Sequence, residues 1–179
     1  MANAGDKFFM LRPPVAFRAA VLAELERVGV LDQLGSRLFA PENWHQSLSD
    51  LLLGDSLDVY RRAGSRVAAE PFVLRFDRVS FKGGRAFLEP SAASPGFSSL
   101  LRSVKAALDL EGEKSGRHAP HLTLSYRAPG SLDLVSIEPI EWNVDSVELV
   151  EVVTYPYGYR TLDAWTLVPA IDPQPALPF

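Results

Sequence analysis

The sequence predicts an α+β fold, and three observations carry that expectation. Two long stretches place apolar residues at helical spacing. Between and after them lie short segments with strand alternation, one pair joined by Gly83-Gly84 as a hairpin. The strands do not alternate one for one with helices, so a doubly wound parallel sheet is not expected. With 179 residues, 47% of them hydrophobic, one compact domain with a buried core follows.

Taken in order, Lys7 to Leu11 is a short apolar run stopped by Pro13-Pro14, which reads as a first strand. Phe17, Val21, Leu25 and Val28 recur every three or four residues, so Pro14 to Val28 is expected to be an amphipathic helix that Gly29 closes. Arg37 to Phe39 and Trp44 to Ser49 read as strands around the loop at Ala40-Pro41-Glu42-Asn43. Asp55 to Ala69 reads as a helix with Leu57, Tyr60, Gly64 and Val67 on one side. Phe72 to Phe76 and Val79 to Phe81 alternate, and Arg85 to Leu88 returns after the glycine turn. Ser94-Pro95-Gly96 is expected to break the chain before a second long helix marked by Leu100, Leu101, Val104, Leu108 and Leu110. After a polar loop at Glu111 to Gly116, His121 to Tyr126 reads as a strand. Val144 to Val153 and Thr161 to Val168 are expected to pair across a turn near Tyr157-Gly158. From Asp172 three prolines mark an extended tail.

Composition narrows the function. There are no cysteines, so disulfides, thiolate metal sites and a cysteine nucleophile are excluded. The net charge of −4 argues against holding long duplex nucleic acid, which basic proteins bind by neutralising phosphates. A short phosphorylated ligand in a locally positive pocket remains compatible. No stretch approaches the roughly 18 apolar residues of a membrane span. Met1 to Lys7 is short and polar and does not read as a secretory signal. The expectation is a soluble, cytoplasmic, monomeric protein. Glycine-rich phosphate loops, a Walker lysine and a Gly-x-Ser-x-Gly elbow are absent from the sequence.

The chemistry-bearing signal lies in the histidines, of which there are three. His45-Gln46-Ser47-Leu48-Ser49 follows an Ala-Pro, and so does His121-Leu122-Thr123-Leu124-Ser125. Each reads His-x-[Ser/Thr]-Leu-Ser, and Arg37 and Arg117 lie just upstream of the two copies. A lone His-x-Thr on a strand is ordinarily incidental; two copies in matched contexts point to a shared role. Residues i and i+2 of a strand share a face. His45 and Ser47 therefore project together, as do His121 and Thr123, while Leu48, Leu122 and Leu124 point into a core. Two such strands across a cleft would supply a neutral imidazole to take a proton and a charged one to give it back. The two hydroxyls would hold the phosphate oxygens. No metal or other cofactor is required.

In these motifs the chain resembles the two-histidine (2H) phosphoesterase superfamily. Within it, the resemblance is to the 2′-5′ RNA ligase, or RNA 2′,3′-cyclic phosphodiesterase (LigT-like), group. It covers nearly the whole chain: Phe8-Phe9, Pro41-Glu42-Asn43-x-His45, Pro120 to Leu124, and the closing Tyr159, Leu162 and Trp165-Thr166-Leu167. It implies two pseudo-symmetric lobes of mostly antiparallel strands with flanking helices around a central cleft. On that reading residues 1–171 form a single bilobal domain and 172–179 a Pro-rich tail. The resemblance makes His45 and His121 the catalytic pair, and Ser47 and Thr123 the phosphate-holding hydroxyls. The implied substrate is an RNA end or nucleotide bearing a cyclic phosphate, with reverse 2′-5′ ligation at the same site. The alternatives are a small cyclic nucleotide such as an ADP-ribose cyclic phosphate, or a non-catalytic nucleotide- or RNA-binding module. Some positions depart from the group. Ser47 stands where threonine is commoner, and Ser49-Asp50-Leu51 replaces an aromatic-leucine-glycine run. Tyr126 stands where an arginine is frequent, with Arg127 next to it on the other strand face.

Several further residues are candidates for the cleft. His118 is expected on a cleft-edge loop rather than on a metal, and Tyr126 and Arg127 are candidate cleft contacts. Trp44 should face the core. Tyr155, Tyr157 and Tyr159 either include a base-stacking ring or form a hairpin-edge cluster. Arg61, Arg62, Arg66, Arg75, Arg78, Lys82 and Arg85 form a basic run that is ordinarily a solvated face.

Overall fold

The computed structural model describes residues 3–52, 54, 56–113, 116, 118–129 and 133–169, so the expected tail at 172–179, the helix start at Asp55 and Arg117 lie outside the described residues. The strands form two four-stranded antiparallel sheets, ordered β2-β1-β7-β8 and β5-β4-β3-β6. In the first, β1 is Lys7–Leu11, β2 Gln46–Ser47, β7 Ser146–Thr154 and β8 Tyr157–Thr166. In the second, β3 is Phe72–Lys82, β4 Arg85–Glu89, β5 Leu122–Ser125 and β6 Val135–Val144. The helices are α1 (Val15–Arg27), α2 (Val30–Leu34), α3 (Leu57–Ser65) and α4 (Pro95–Leu110).

Each sheet repeats one arrangement. A strand, β1 or β4, leads into a long helix, α1 or α4. The chain then returns as a short antiparallel strand, β2 or β5, at the edge of the same sheet. The two His-x-[Ser/Thr] segments are these returning edge strands. Met10 pairs with Ser47 in one sheet and Phe87 with Thr123 in the other.

The turn Gly83-Gly84 has both residues at positive φ, 57° and 71°. Two-residue hairpins need that geometry because their twist then matches the strands they join. On β1, Phe9 and Leu11 enter the main core while Phe8 and Met10 join Val150 and Val152 in a separate cluster on the other face. Both faces of β1 are thus buried, one in the main core and one in this second cluster. Gly64 of α3 lets the helix press against the Trp165 ring, since a Cβ there would overlap the indole. The same ring lies 5.9 Å from Phe9, which locks β1 beneath α3. Phe17 of α1 packs on Phe76 and Trp142 of the second sheet, centroids 5.6 Å from each.

Several sequence expectations are corrected. Arg37 to Phe39 is not a strand: Gly35–Arg37 is a 3-10 turn, and Phe39 makes one backbone bond to Leu124 O, at 2.7 Å. The strand expected over Trp44 to Ser49 shortens to two residues, because the Ser49 hydroxyl takes the Phe9 N–H in place of a backbone partner. Ser94-Pro95-Gly96 starts α4 rather than breaking the chain, with Ser94 Oγ accepting from Phe97 N and Pro95 in the first turn. No local pattern marks β6 in the sequence. Pro139 interrupts its alternation, and proline is tolerated there because β6 is an edge strand whose register shifts beside it. Finally, the last hairpin turns at Tyr155-Pro156, joined by a cis bond, and Tyr157 and Tyr159 lie within β8 rather than at a turn. Among the described residues no helix is long and apolar enough to cross a membrane.

Candidate active site

The two histidines stand immediately before β2 and β5, and their rings are held in the same way. Nδ1 of His45 lies 2.9 Å from the carbonyl of Asn43, and Nδ1 of His121 lies 2.9 Å from the carbonyl of Ala119. A carbonyl can only accept, so each Nδ1 carries the hydrogen and each neutral ring has its unprotonated nitrogen at Nε2. The Asn43 side chain in turn donates to Tyr157 O at 3.1 Å, fixing the loop that carries the first acceptor.

A cavity of about 910 Å³ opens beside His45. His45, Ser47, Phe8, Tyr157 and Tyr159 line it from the first sheet. Phe39, Arg85, Tyr126 and Arg127 line it from the side of the second, and Asp50 and His118 line it as well. His121 and Thr123 are not among its lining residues, but each acts on residues that are. The charge of His121 weighs on both His45 and His118, and Thr123 hydrogen-bonds Tyr126. Alternation does what the motif implied: Leu48, Leu122 and Leu124 are fully buried while the histidines and hydroxyls stay partly accessible. Trp44 is buried as expected, its Nε1 donating to Phe39 O at 2.9 Å.

The electrostatics of the histidines are set by their enclosure. Phe8 covers His45 at 5.4 Å between centroids and Tyr159 meets it edge-on at 4.6 Å. Burial pushes the His45 imidazole down to about 4, against the pull of the Asn43 carbonyl, and the charges of His121 and Arg12 add to the lowering. Arg12 is anchored by Glu148, 3.0 Å away. Burial lowers His118 as well, opposed by Asp50, whose carboxylate lies 3.4 Å from His118 Nε2. Tyr159 and Tyr126 are raised by burial and remain protonated hydroxyls. Among the described residues no group of three or more His, Asp or Glu is placed to hold a metal ion.

Tyr126 and Arg127 both line the cavity. The expectation that Arg127 points to the opposite face is corrected: β5 ends at Ser125, whose hydroxyl takes the Arg127 N–H, so strand alternation stops before it. From the basic run, Arg85 reaches the cavity, its guanidinium 5.9 Å from the Tyr126 ring centre. Arg61 pairs with Asp163, Arg62 and Arg66 with Glu111, and Arg78 and Lys82 with Glu89. The sequence reading missed Phe8 and Arg12 as neighbours of His45, and it missed Gln46. The signal for Gln46 was available: an amide occupies the inward strand position that Leu122 fills in the second copy, and a buried amide must find partners.

The sequence profile of the 2′-5′ RNA ligase superfamily matches residues 13–155. Among solved structures, E. coli LigT complexed with 3′-AMP is similar at a TM-score of 0.75 and 19% identity, over 92% of this chain and 99% of that one. TT0787 of Thermus thermophilus is similar at a TM-score of 0.69 and 23% identity, over 90% of this chain and 97% of that one. Among curated proteins, none matches the chain by sequence.

Proposed function

Because this chain belongs to the 2′-5′ RNA ligase superfamily, the LigT-like group of 2H phosphoesterases, we propose that it is a metal-independent phosphodiesterase that opens a 2′,3′-cyclic phosphate on an RNA end or nucleotide. One observation carries the proposal. His45 and His121 are each fixed through Nδ1 by a backbone carbonyl, and His45 lines a cavity large enough for a nucleotide. E. coli LigT, which shares the fold, is seen in complexes with 3′-AMP, ATP and NADP+.

Hydrolysis divides between the two rings. Enclosed and neutral, His45 takes a proton on Nε2 from water as the water oxygen bonds to phosphorus. The bond from phosphorus to the 3′ oxygen breaks, and protonated His121 gives its Nε2 proton to that oxygen. The product is a 2′-phosphomonoester with a free 3′ hydroxyl. Ser47 and Thr123 donate to the non-bridging oxygens, and Arg85 and Arg127 supply the local positive charge that a chain of net charge −4 otherwise lacks. When a 5′ hydroxyl replaces water, the same step forms a 2′-5′ linkage.

The test is incubation with 2′,3′-cyclic AMP. Turnover to 2′-AMP is expected. No turnover of any 2′,3′-cyclic nucleotide would overturn the proposal and favour a binding module.

A further inference from the structure

Gln46 is fully buried, although it belongs to an edge strand beside an open cavity. Its amide spans from one sheet to the other. Oε1 accepts the backbone N–H of His121, while Nε2 donates to its neighbour Ser47 O at 2.8 Å and to Ala119 O at 3.3 Å. This pattern fixes the amide orientation, since the group facing an N–H must be the oxygen and the group facing two carbonyls must be the nitrogen.

Ala119 O is the atom that matters. It also accepts from Nδ1 of His121, at 2.9 Å. The amide of Gln46 therefore grips both ends of the short segment that orients the His121 ring, the carbonyl that receives Nδ1–H and the N–H of His121 itself. In the second copy of the motif the corresponding position is Leu122, fully buried and apolar. Shape alone asked only for an apolar residue there. The contact is also one-sided: it runs from the strand of His45 to the strand of His121, where Leu122 has no polar group to return it.

We propose that Gln46 is a positioning residue that sets the tautomer and orientation of His121 relative to His45 across the two sheets. The proposal names a residue of the acid–base site described above and rests on that reading for its effect on turnover. Its effect on the His121 ring does not depend on that reading. With Gln46 in place, Ala119 O stays where Nδ1–H can reach it, Nε2 of His121 faces the reaction, and the two imidazoles keep one separation. Without it, the ring can turn, and in its neutral form it can carry its hydrogen on Nε2; the turned ring mispositions the acid by an amount that costs up to about 100-fold in rate.

The test combines histidine nitrogen NMR with kinetics on 2′,3′-cyclic AMP, in the wild type and in Gln46→Met and Gln46→Leu. In the wild type, neutral His121 is expected as the Nδ1–H tautomer. In the variants a mixed or Nε2–H tautomer is expected. The variants should lose roughly 10–100-fold in kcat with KM nearly unchanged, as removal of a transition-state contact does. A wild-type His121 in the Nε2–H form would overturn the proposal. So would variants that keep the wild-type tautomer and kcat with only a lower Tm, and so would loss of fold in both variants, which would make Gln46 architectural alone. If the wild type turns over no cyclic phosphate, the functional reading fails, and the tautomer change still decides the role of Gln46.

Discussion

Tyr159 meets His45 edge-on, with 4.6 Å between ring centroids and 67° between ring planes. The contact follows from β8 pairing along β7, which brings Tyr159 beside Val152 and over the ring. It removes water from the histidine that, in the proposed step, stays neutral to accept a proton. With its value pushed from an ordinary ~6.5 to about 4, His45 becomes charged only in strongly acidic solution. The acid limb of the kcat/KM profile is therefore expected near pH 4 rather than 6.5, which a pH series with a 2′,3′-cyclic nucleotide would check.

The same shift links to stability. In the unfolded chain His45 binds its proton near pH 6.5 and in the native state only near 4, so between those values the unfolded state holds more protons. The stability contributed by neutral His45 is present above about 6.5 and is lost as pH falls toward 4. Denaturant midpoints measured down this range should fall in the wild type and fall less in His45→Gln.

Opening the enclosure should undo the shift. Tyr159→Ala exposes His45 to water, so its acid limb should move up toward about 6.5, while Tyr159→Phe keeps the ring and leaves the limb in place. An NMR titration of His45 in both variants measures this directly.

Arg85 and Arg127 are placed to attract and hold phosphate. Each substitution to Ala is expected to raise KM roughly tenfold or more, the usual worth of a hydrogen bond to a charged group, with a smaller effect on kcat. The KM of the wild type should also rise with salt, and that dependence should weaken in the variants.

The face proposed to carry the chemistry follows from the sequence because strand alternation is a strict rule. His45 with Ser47, His121 with Thr123, and the buried Leu48, Leu122 and Leu124 all follow from alternation along a strand. What lay beyond was non-local. Phe8 reaches His45 because β1 pairs with β2, and Tyr159 because β8 pairs along β7, pairings no local pattern encodes. Arg127 joins the cavity because β5 stops one residue earlier than expected. β6 hid behind Pro139, whose cost disappears at a sheet edge. Gln46 looked like the variable position of its motif, and its partners lie in the other sheet.

Metal plays no part in the proposed step, so turnover should be undiminished in excess chelator. Loss of activity in chelator, restored by zinc or magnesium, would show that the site works by different chemistry.

The most direct measurement is turnover of 2′,3′-cyclic AMP by His45→Ala, His121→Ala and the double variant, with the fold of each checked by its circular dichroism. Each single variant is expected to lose roughly 10²–10⁴-fold, the range for a positioned proton transfer. The double variant should be little worse than either, since the two imidazoles act in one step. Folded His45→Ala and His121→Ala proteins that kept wild-type turnover would contradict the account.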